Sequence, residues 1–312
     1  MRTANLMFVG LIAAVACAGS TTTPHPTYTL VGYFGEPGTG PGQFHEPMGI
    51  AVGADGELYV ADTRNHRVQV LSSAGEFLRA WGSPGKDPGG FQLPVDVAVG
   101  PDGSVYVSDY ELDRVSKFTS DGTFVRAWGS SGDAPGEFNA PAGLTVGSDG
   151  TVYVADFYNH RVQIFDQDGM FLRTVGREGH GAGEFYYPTD LSVNNAGELT
   201  IADAYNYRIH GLTGEGATLF DWGRAWAEGL AIEPLNVATG LAIDGTGRVH
   251  VADSANKRGV LFDTDGTFLA EWRMTADQHP EMYAPARVAV SGNRAYFIDP
   301  SNDRLVVLEV RP

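Results

Sequence analysis

The sequence predicts an all-β fold: a six-bladed β-propeller of four-stranded antiparallel blades, closed by the N-terminal strand pairing into the last blade. Three observations carry this. A short hydrophobic run ending in aspartate recurs at Asp62, Asp109, Asp156, Asp203, Asp253 and Asp299, at spacings of 47, 47, 47, 50 and 46 residues. Each interval holds four short runs with period-2 alternation, separated by turn residues. The inner three runs occur six times, but the outermost occurs five times within the repeats. A four-strand unit at this period is a propeller blade. Leucine-rich repeats are about half as long, and helical repeats need a 3.6-residue period that is absent.

The first unit shows how each element is specified. Residues 49–52 form strand a, the innermost, and Ala54-Asp55-Gly56 turns the chain. Residues 58–61 form strand b, followed by a loop over 62–66; residues 67–71 form strand c. Ser73-Ala74-Gly75 leads into strand d at 76–81, which Gly82 closes. Asp-Gly pairs at 55–56, 102–103, 121–122, 149–150, 168–169 and 265–266 supply the positive-φ positions that tight hairpins demand. The sixth unit lacks its strand d. The unassigned segment 28–34, Tyr-Thr-Leu-Val-Gly-Tyr-Phe, is expected to pair with 305–310 and complete it. That closure leaves no unmatched blade edge.

Of 312 residues 41 are glycine, well above the usual share of about 7% and in keeping with many turns. The formal charge is −17, from 38 acidic and 21 basic residues, which repels phosphate backbones and excludes nucleic acid as a partner. One cysteine, Cys17, rules out an intramolecular disulfide. It follows an apolar stretch of eleven residues, Leu6 to Ala16, too short for a comfortable membrane span. Ala14-Val15-Ala16-Cys17 resembles a bacterial lipobox, with alanine where leucine is usual. The resemblance implies a signal peptide over 1–16, cleavage before Cys17 and acylation of Cys17, palmitate included. It thus implies export as a lipoprotein, anchored to a membrane by lipid alone and facing the periplasm or cell exterior. Residues 17–27, rich in Ser, Thr and Pro, read as a tether, and 28–312 as a monomeric propeller.

The loop between strands b and c carries Asn65-His66-Arg67-Val68 and Asn159-His160-Arg161-Val162, with divergent copies at 206–209, 256–259 and 302–305. The preceding linker carries Pro-Gly-Gln-Phe-x-x-Pro at 41–47, with related runs at 135–141 and 183–188. These stretches resemble NHL repeats, over essentially residues 28 to 310. The resemblance implies the propeller and leaves function open, since one scaffold hosts many roles.

The aspartate ending strand b and the arginine opening strand c recur as Asp62/Arg67, Asp109/Arg114, Asp156/Arg161, Asp203/Arg208, Asp253/Arg258 and Asp299/Arg304. A catalytic group is needed once and a blade-fixing group in every blade. These pairs therefore read as structural, meeting over the hairpin turn or bridging to the next blade, with the carboxylate able to accept loop N–H groups, and His66 and His160 read as loop packing. Function is expected where the repeats differ. Near the start of strand a the six units have Gly49, Asp96, Gly143, Asp190, Gly240 and Arg287. Asp96 and Asp190 can share a cation or a basic group across the channel mouth, with Arg287 as counter-charge, or can simply bind channel water. Aromatic residues gather on the same face: Tyr110, Phe157, Tyr158, Tyr186, Tyr187, Tyr205 and Tyr207. The linker over 223–238 is three residues longer than its counterparts and contains Trp226, Leu230 and Ile232.

Two catalytic relatives of the fold bear comparison. A zinc-dependent amidating lyase places histidines just after the proline entering strand a, where this chain has Met48, Val95, Ala142, Thr189, Thr239 and Ala286. Histidines for another arrangement would come from His45, His66, His160, His180 and His279. A calcium-dependent lactonase needs six to eight oxygen ligands, and Asp96 with Asp190 only begins such a set. No Gly-x-Ser-x-Gly elbow is present. The expectation is therefore a non-catalytic envelope module presenting one face to a protein, peptide or glycan. The alternative is a metal-dependent lyase or hydrolase at the channel mouth, for which calcium is the candidate cofactor.

Overall fold

A computed structural model describes residues 26–223, 233–273 and 284–311. Six four-stranded antiparallel sheets are formed, each running from an inner strand a to an outer strand d. The first blade consists of Gly49–Val52, Leu58–Asp62, Arg67–Leu71 and Phe77–Trp81, within a residue of the expected bounds. Its b–c loop is a single 3-10 turn, Thr63–Asn65, ended by His66 in the left-handed conformation. Cys17 and most of the stretches expected as leader and tether lie outside the described residues, as do Trp226, Leu230, Ile232 and His279.

Closure follows the expected register. Strand Thr27–Phe34 pairs antiparallel with the C-terminal strand Arg304–Arg311, from Thr27 opposite Arg311 to Phe34 opposite Leu305, with an irregularity between Leu30 and Gly32. The Tyr28 hydroxyl lies 2.8 Å from His250 Nδ1, which ties this closing strand to the fifth blade as well.

The hydrophobic core lies mainly between blades. Phe44, Ile50 and Val60 of the first blade pack with Tyr296, Ile298 and Val307 of the sixth, and each of the other five neighbouring pairs builds an equivalent cluster. Strand b of each blade is buried on both faces, which accounts for its near-continuous hydrophobic run. The linker phenylalanines Phe44, Phe91, Phe138 and Phe185 are fully buried plugs, each placing roughly 1.5–3 kcal/mol of apolar surface out of water. In the fifth blade Leu235 takes this place beside Gly223.

The outer rim is knit by ring-on-glycine contacts. Trp81, Trp128 and Trp222 of strands d lie over Gly122, Gly169 and Gly266 in the c–d turn of the next blade. A Cβ on Gly122 would sit 2.6 Å from Trp81 Cδ2, and its φ of +90° disfavours any side chain. Gly122→Ala is therefore expected to cost about 2 kcal/mol or more in urea denaturation. Gly103→Ala, with φ +80° but nothing within 4 Å, should cost only the backbone strain, about 1 kcal/mol. Equal losses at the two sites would refute the ring contact as a source of stability.

Candidate functional site

Strands a line a central channel, and the departures among the repeats meet on its axis. A Cβ at Gly49 would stand 2.5 Å from Asp96 Cα, one at Gly143 2.6 Å from Asp190 Cα, and one at Gly240 2.6 Å from Arg287 Cα. The glycine in every second blade is thus steric: the next strand a passes with its main chain so close that no Cβ fits.

The three charged groups form one buried plug. Arg287 Nε lies 3.7 Å from an oxygen of Asp96 and 3.7 Å from an oxygen of Asp190. The rest of the guanidinium donates to carbonyls: Nη2 to Thr189 at 2.8 Å, and Nη1 to Ala286 at 3.2 Å and to Thr239. Asp96 accepts from Leu144 N–H at 2.9 Å, and Asp190 from Leu241 and Leu191 N–H at 2.8 and 2.9 Å. Burial pushes the Asp96 carboxyl up to about 7, and the arginine only partly counters this. Asp190 is raised for the same reason. Arg287 is thus the counter-charge expected for the two aspartates, and its guanidinium stands where a shared metal cation was the other expectation. The calcium site does not fit either, since the other channel positions at this level are glycines.

Above the plug, on the loop-bearing face, the channel opens into an apolar bowl of about 430 Å³. Its wall includes Met48, Val95, Ala142, Thr189, Thr239 and Ala286, one from the entry of each strand a. Tyr110 and Phe157 extend the wall, and Arg287 is the one charged residue lining it among the described residues. The Thr189 and Thr239 hydroxyls are engaged by carbonyls, at 2.9 Å to Ala238 and 2.8 Å to Pro285. Below the plug a narrower channel of about 220 Å³ is lined by Asp96, Asp190 and Arg287, by Thr145 and Ser192, and otherwise by aliphatic residues.

A second cleft adjoins the bowl. It is lined by Tyr110, Phe157, Tyr158, Tyr187 and Tyr205, the first two shared with the bowl. Tyr186 stacks on His160 at 5.2 Å and backs Tyr187 at 4.6 Å. Tyr207 stands apart: it ends the b–c loop turn of the fourth blade with φ +56°, half-exposed, without a ring contact among the described residues.

The loop pairs share one contact in five blades. Arginine Nε donates to the aspartate Oδ2 at 2.7 Å in Asp62/Arg67, Asp156/Arg161, Asp203/Arg208 and Asp253/Arg258, and at 3.0 Å in Asp299/Arg304. Three of the six blades add to this contact or depart from it.

Arg208 and Arg258 make this contact as fully buried side chains, 1% and 0% exposed. Each belongs to a three-membered ion cluster. Arg208 Nη1 donates to Asp221 at 2.6 Å, and Arg258 Nη1 donates to Glu271 at 2.8 Å. In the first and third blades the same nitrogen of Arg67 and Arg161 donates to a linker carbonyl, of Thr39 and Asp133 respectively. The reason lies in strand d, opposite strand c. Asp221 and Glu271 occupy the register positions held by Ala80, Ala127 and Thr174 in the first three blades. A second carboxylate there draws the guanidinium inward and compensates its burial. Arg208 and Arg258 are therefore closed to any ligand, and their role is internal bracing of the fourth and fifth blades.

The second blade differs in the other direction. Asp109 and Arg114 are opposite in register, but Arg114 Nε has no hydrogen bond, and Asp109 accepts instead from Gln92, Leu93 and Leu112 N–H. There Leu112 replaces the loop asparagine, which in the first blade donates to the aspartate oxygen that the arginine also binds. The left-handed loop residue reaches toward the next blade: Asp113 accepts from Ala140 N–H, His160 from Tyr187 N–H and Asp303 from Glu46 N–H, while His66 Nδ1 lies 2.9 Å from Gln92 O. Among the described residues no three His, Cys, Asp or Glu side chains are grouped to hold a metal ion.

NHL repeats match residues 44–71, 91–118 and 138–165. A segment of 44 residues is 54% identical to the B-box type zinc finger protein ncl-1 of Caenorhabditis elegans; it covers 14% of this chain and 5% of that protein. The chain thus spans a small fraction of that relative's length. Solved propellers share the fold over nearly the whole chain at low identity. A streptogramin B lyase aligns with a TM-score of 0.63 and 14% identity, covering 91% of this chain and 98% of its own. A gluconolactonase from Xanthomonas campestris aligns with a TM-score of 0.64 and 15% identity, covering 87% and 88%. These findings correct the expectation of a non-catalytic envelope module, because the solved propellers of this shape include lyases and lactonases.

Proposed function

We propose that the chain is an enzyme of the lyase or hydrolase class acting in the bowl at the loop-bearing mouth of the channel, with a small cyclic ester as substrate. The observation that carries this is the bowl itself: an apolar cavity of about 430 Å³ with a single guanidinium, that of Arg287, in its lining. Binding sites are commonly apolar hollows with few charged groups, and a fixed cation in such a hollow stabilises the negative charge that develops on a carbonyl oxygen during ester cleavage. The lyase among the similar propellers supports the reaction class, and the gluconolactonase supports the choice of substrate. In the hydrolytic form, water adds to the carbonyl carbon, the ring C–O bond breaks, and the proton lost by water goes to the departing alkoxide. Arg287 polarises the carbonyl. Asp96, 3.7 Å from Arg287 Nε, lines the channel below the plug and bears on the bowl only through the charge of that guanidinium.

The test is a panel of lactones of graded ring size and side-chain length, followed by mass spectrometry to separate hydrolysis from elimination. Turnover is expected for at least one apolar lactone. Ala142→Phe, which fills the bowl from its wall, should lower kcat/KM by about 100-fold with an unchanged melting temperature. Turnover that is insensitive to Ala142→Phe would place the chemistry elsewhere.

A further inference from the structure

We propose that the aromatic cleft beside the bowl is a binding site for an organic cation, a quaternary or methylated ammonium group. The claim concerns binding alone and stands independently of the catalytic reading. All five lining residues, Tyr110, Phe157, Tyr158, Tyr187 and Tyr205, are aromatic, and four are tyrosines with electron-rich ring faces. Their planes turn sharply from one to the next: 80° between Phe157 and Tyr158, 90° between Tyr158 and Tyr187, and 67° between Tyr187 and Tyr205, at centroid separations of 4.9, 5.8 and 5.1 Å. At these separations the rings touch edge to face and hold one another in place along the cleft, with Phe157 and Tyr187 tilted by 38°, and they offer no parallel plates to a flat ligand. The cleft measures about 450 Å³, ample for a trimethylammonium head.

Electrostatics favour the same ligand. No Lys or Arg lines the cleft. The Tyr110 phenol is pushed up by burial, then by the neighbouring phenols of Tyr158 and Tyr205 and by Asp113. His160, with its ring 4.4 Å from that of Tyr187, is pushed down by burial and so is neutral at pH 7 and does not repel a cation. The whole chain carries −17. A sugar site would be expected to add planar polar side chains such as Asn, Asp or Arg to its aromatic platform, and none lines this cleft. Tyr158 and Tyr205 are 48% and 45% exposed, so their rings are available to a ligand.

The experiment is a calorimetric or NMR titration of the purified chain with choline, with its neutral isostere 3,3-dimethylbutan-1-ol, and with methyl β-glucoside. Choline is expected to bind about tenfold more tightly than the isostere, the preference due to charge over the rings. Tyr158→Leu, which keeps the surface apolar, should erase that preference while leaving the melting temperature unchanged. Equal binding of choline and isostere would overturn the proposal in favour of a plain apolar hollow. Binding of the glucoside without choline would overturn it in favour of a glycan. Co-sedimentation with phosphatidylcholine vesicles, set beside phosphatidylglycerol vesicles, then separates a lipid headgroup from a free ammonium compound as the source of the ligand.

Discussion

Deletion of Thr27–Phe34 is expected to abolish the cooperative melting of the whole ring and not merely to loosen one blade. The segment supplies the only outer strand of the sixth blade, pairing along Arg304–Arg311. Its removal frees the hydrogen-bonding edge of a strand that includes Leu305, Val306, Val307 and Leu308, all fully buried in the closed ring. It also removes Phe34, which lies over Gly75 of the first blade, and Tyr28, which bonds His250 of the fifth. Three blades thus lose contacts at once. An exposed hydrophobic edge is also a template for aggregation. Calorimetry should show loss of the native transition, and gel filtration should show large species. A synthetic peptide spanning 26–35, added in trans, should restore part of the transition by strand addition. An unchanged melt in the truncated chain would mean that the sixth blade is stable with three strands.

Replacing Arg287 with methionine is expected to cost about 3–5 kcal/mol at pH 8, because Asp96 and Asp190 are left buried without a compensating cation. The sign of the pH dependence distinguishes this from a simple packing loss. Burial raises both carboxyls, so the folded state favours their protonated forms. Their contribution to stability is complete below the unfolded value of 3.8 and is lost as pH rises through the folded value, about 7 for Asp96. Arginine lowers both, so its loss moves this window upward. The gap between wild type and Arg287→Met should therefore be widest above neutrality and shrink toward pH 5. Urea denaturation at pH 5 and pH 8 measures it. Adding Asp96→Asn to Arg287→Met should recover part of the loss at pH 8, since the amide keeps an acceptor for Leu144 N–H without a charge. A deficit independent of pH would remove the ionic account.

The ring was legible because each of its determinants is local and repeated. The terminal aspartate of strand b, the Asp-Gly turns and the linker phenylalanines each recur in register, and the surplus strand at the N-terminus follows from counting. The site was legible only in part. Asp96, Asp190 and Arg287 stand out as departures from glycine, and Tyr110, Tyr158 and Tyr187 as loop aromatics. What spacing does not convey is which group fills the space between two carboxylates. That depends on a side chain crossing the channel from a third blade. The full burial of Arg208 and Arg258 was hidden for a related reason. Their loop motif matches that of the part-exposed Arg67, and the difference resides in Asp221 and Glu271, thirteen residues further along each blade. The Asp109/Arg114 difference was foreshadowed by Leu112 in place of asparagine, a signal visible only once the asparagine is seen to share the carboxylate oxygen with the arginine. The role of Tyr28 had no local signal, because its partner His250 lies 222 positions away.

The pairing of Thr27–Phe34 with Arg304–Arg311 also sets the order of events during folding. The first strand of the ring to be synthesised must wait for the last, so its partner is absent until Arg304–Arg311 has been made. Five blades can assemble from near neighbours, but the final step joins residues more than 270 positions apart. Contacts of such separation slow folding and leave an unfinished edge exposed meanwhile. A chain stopped short of Arg304 lacks the partner needed for this step, so completion of the ring reports that synthesis has reached that strand.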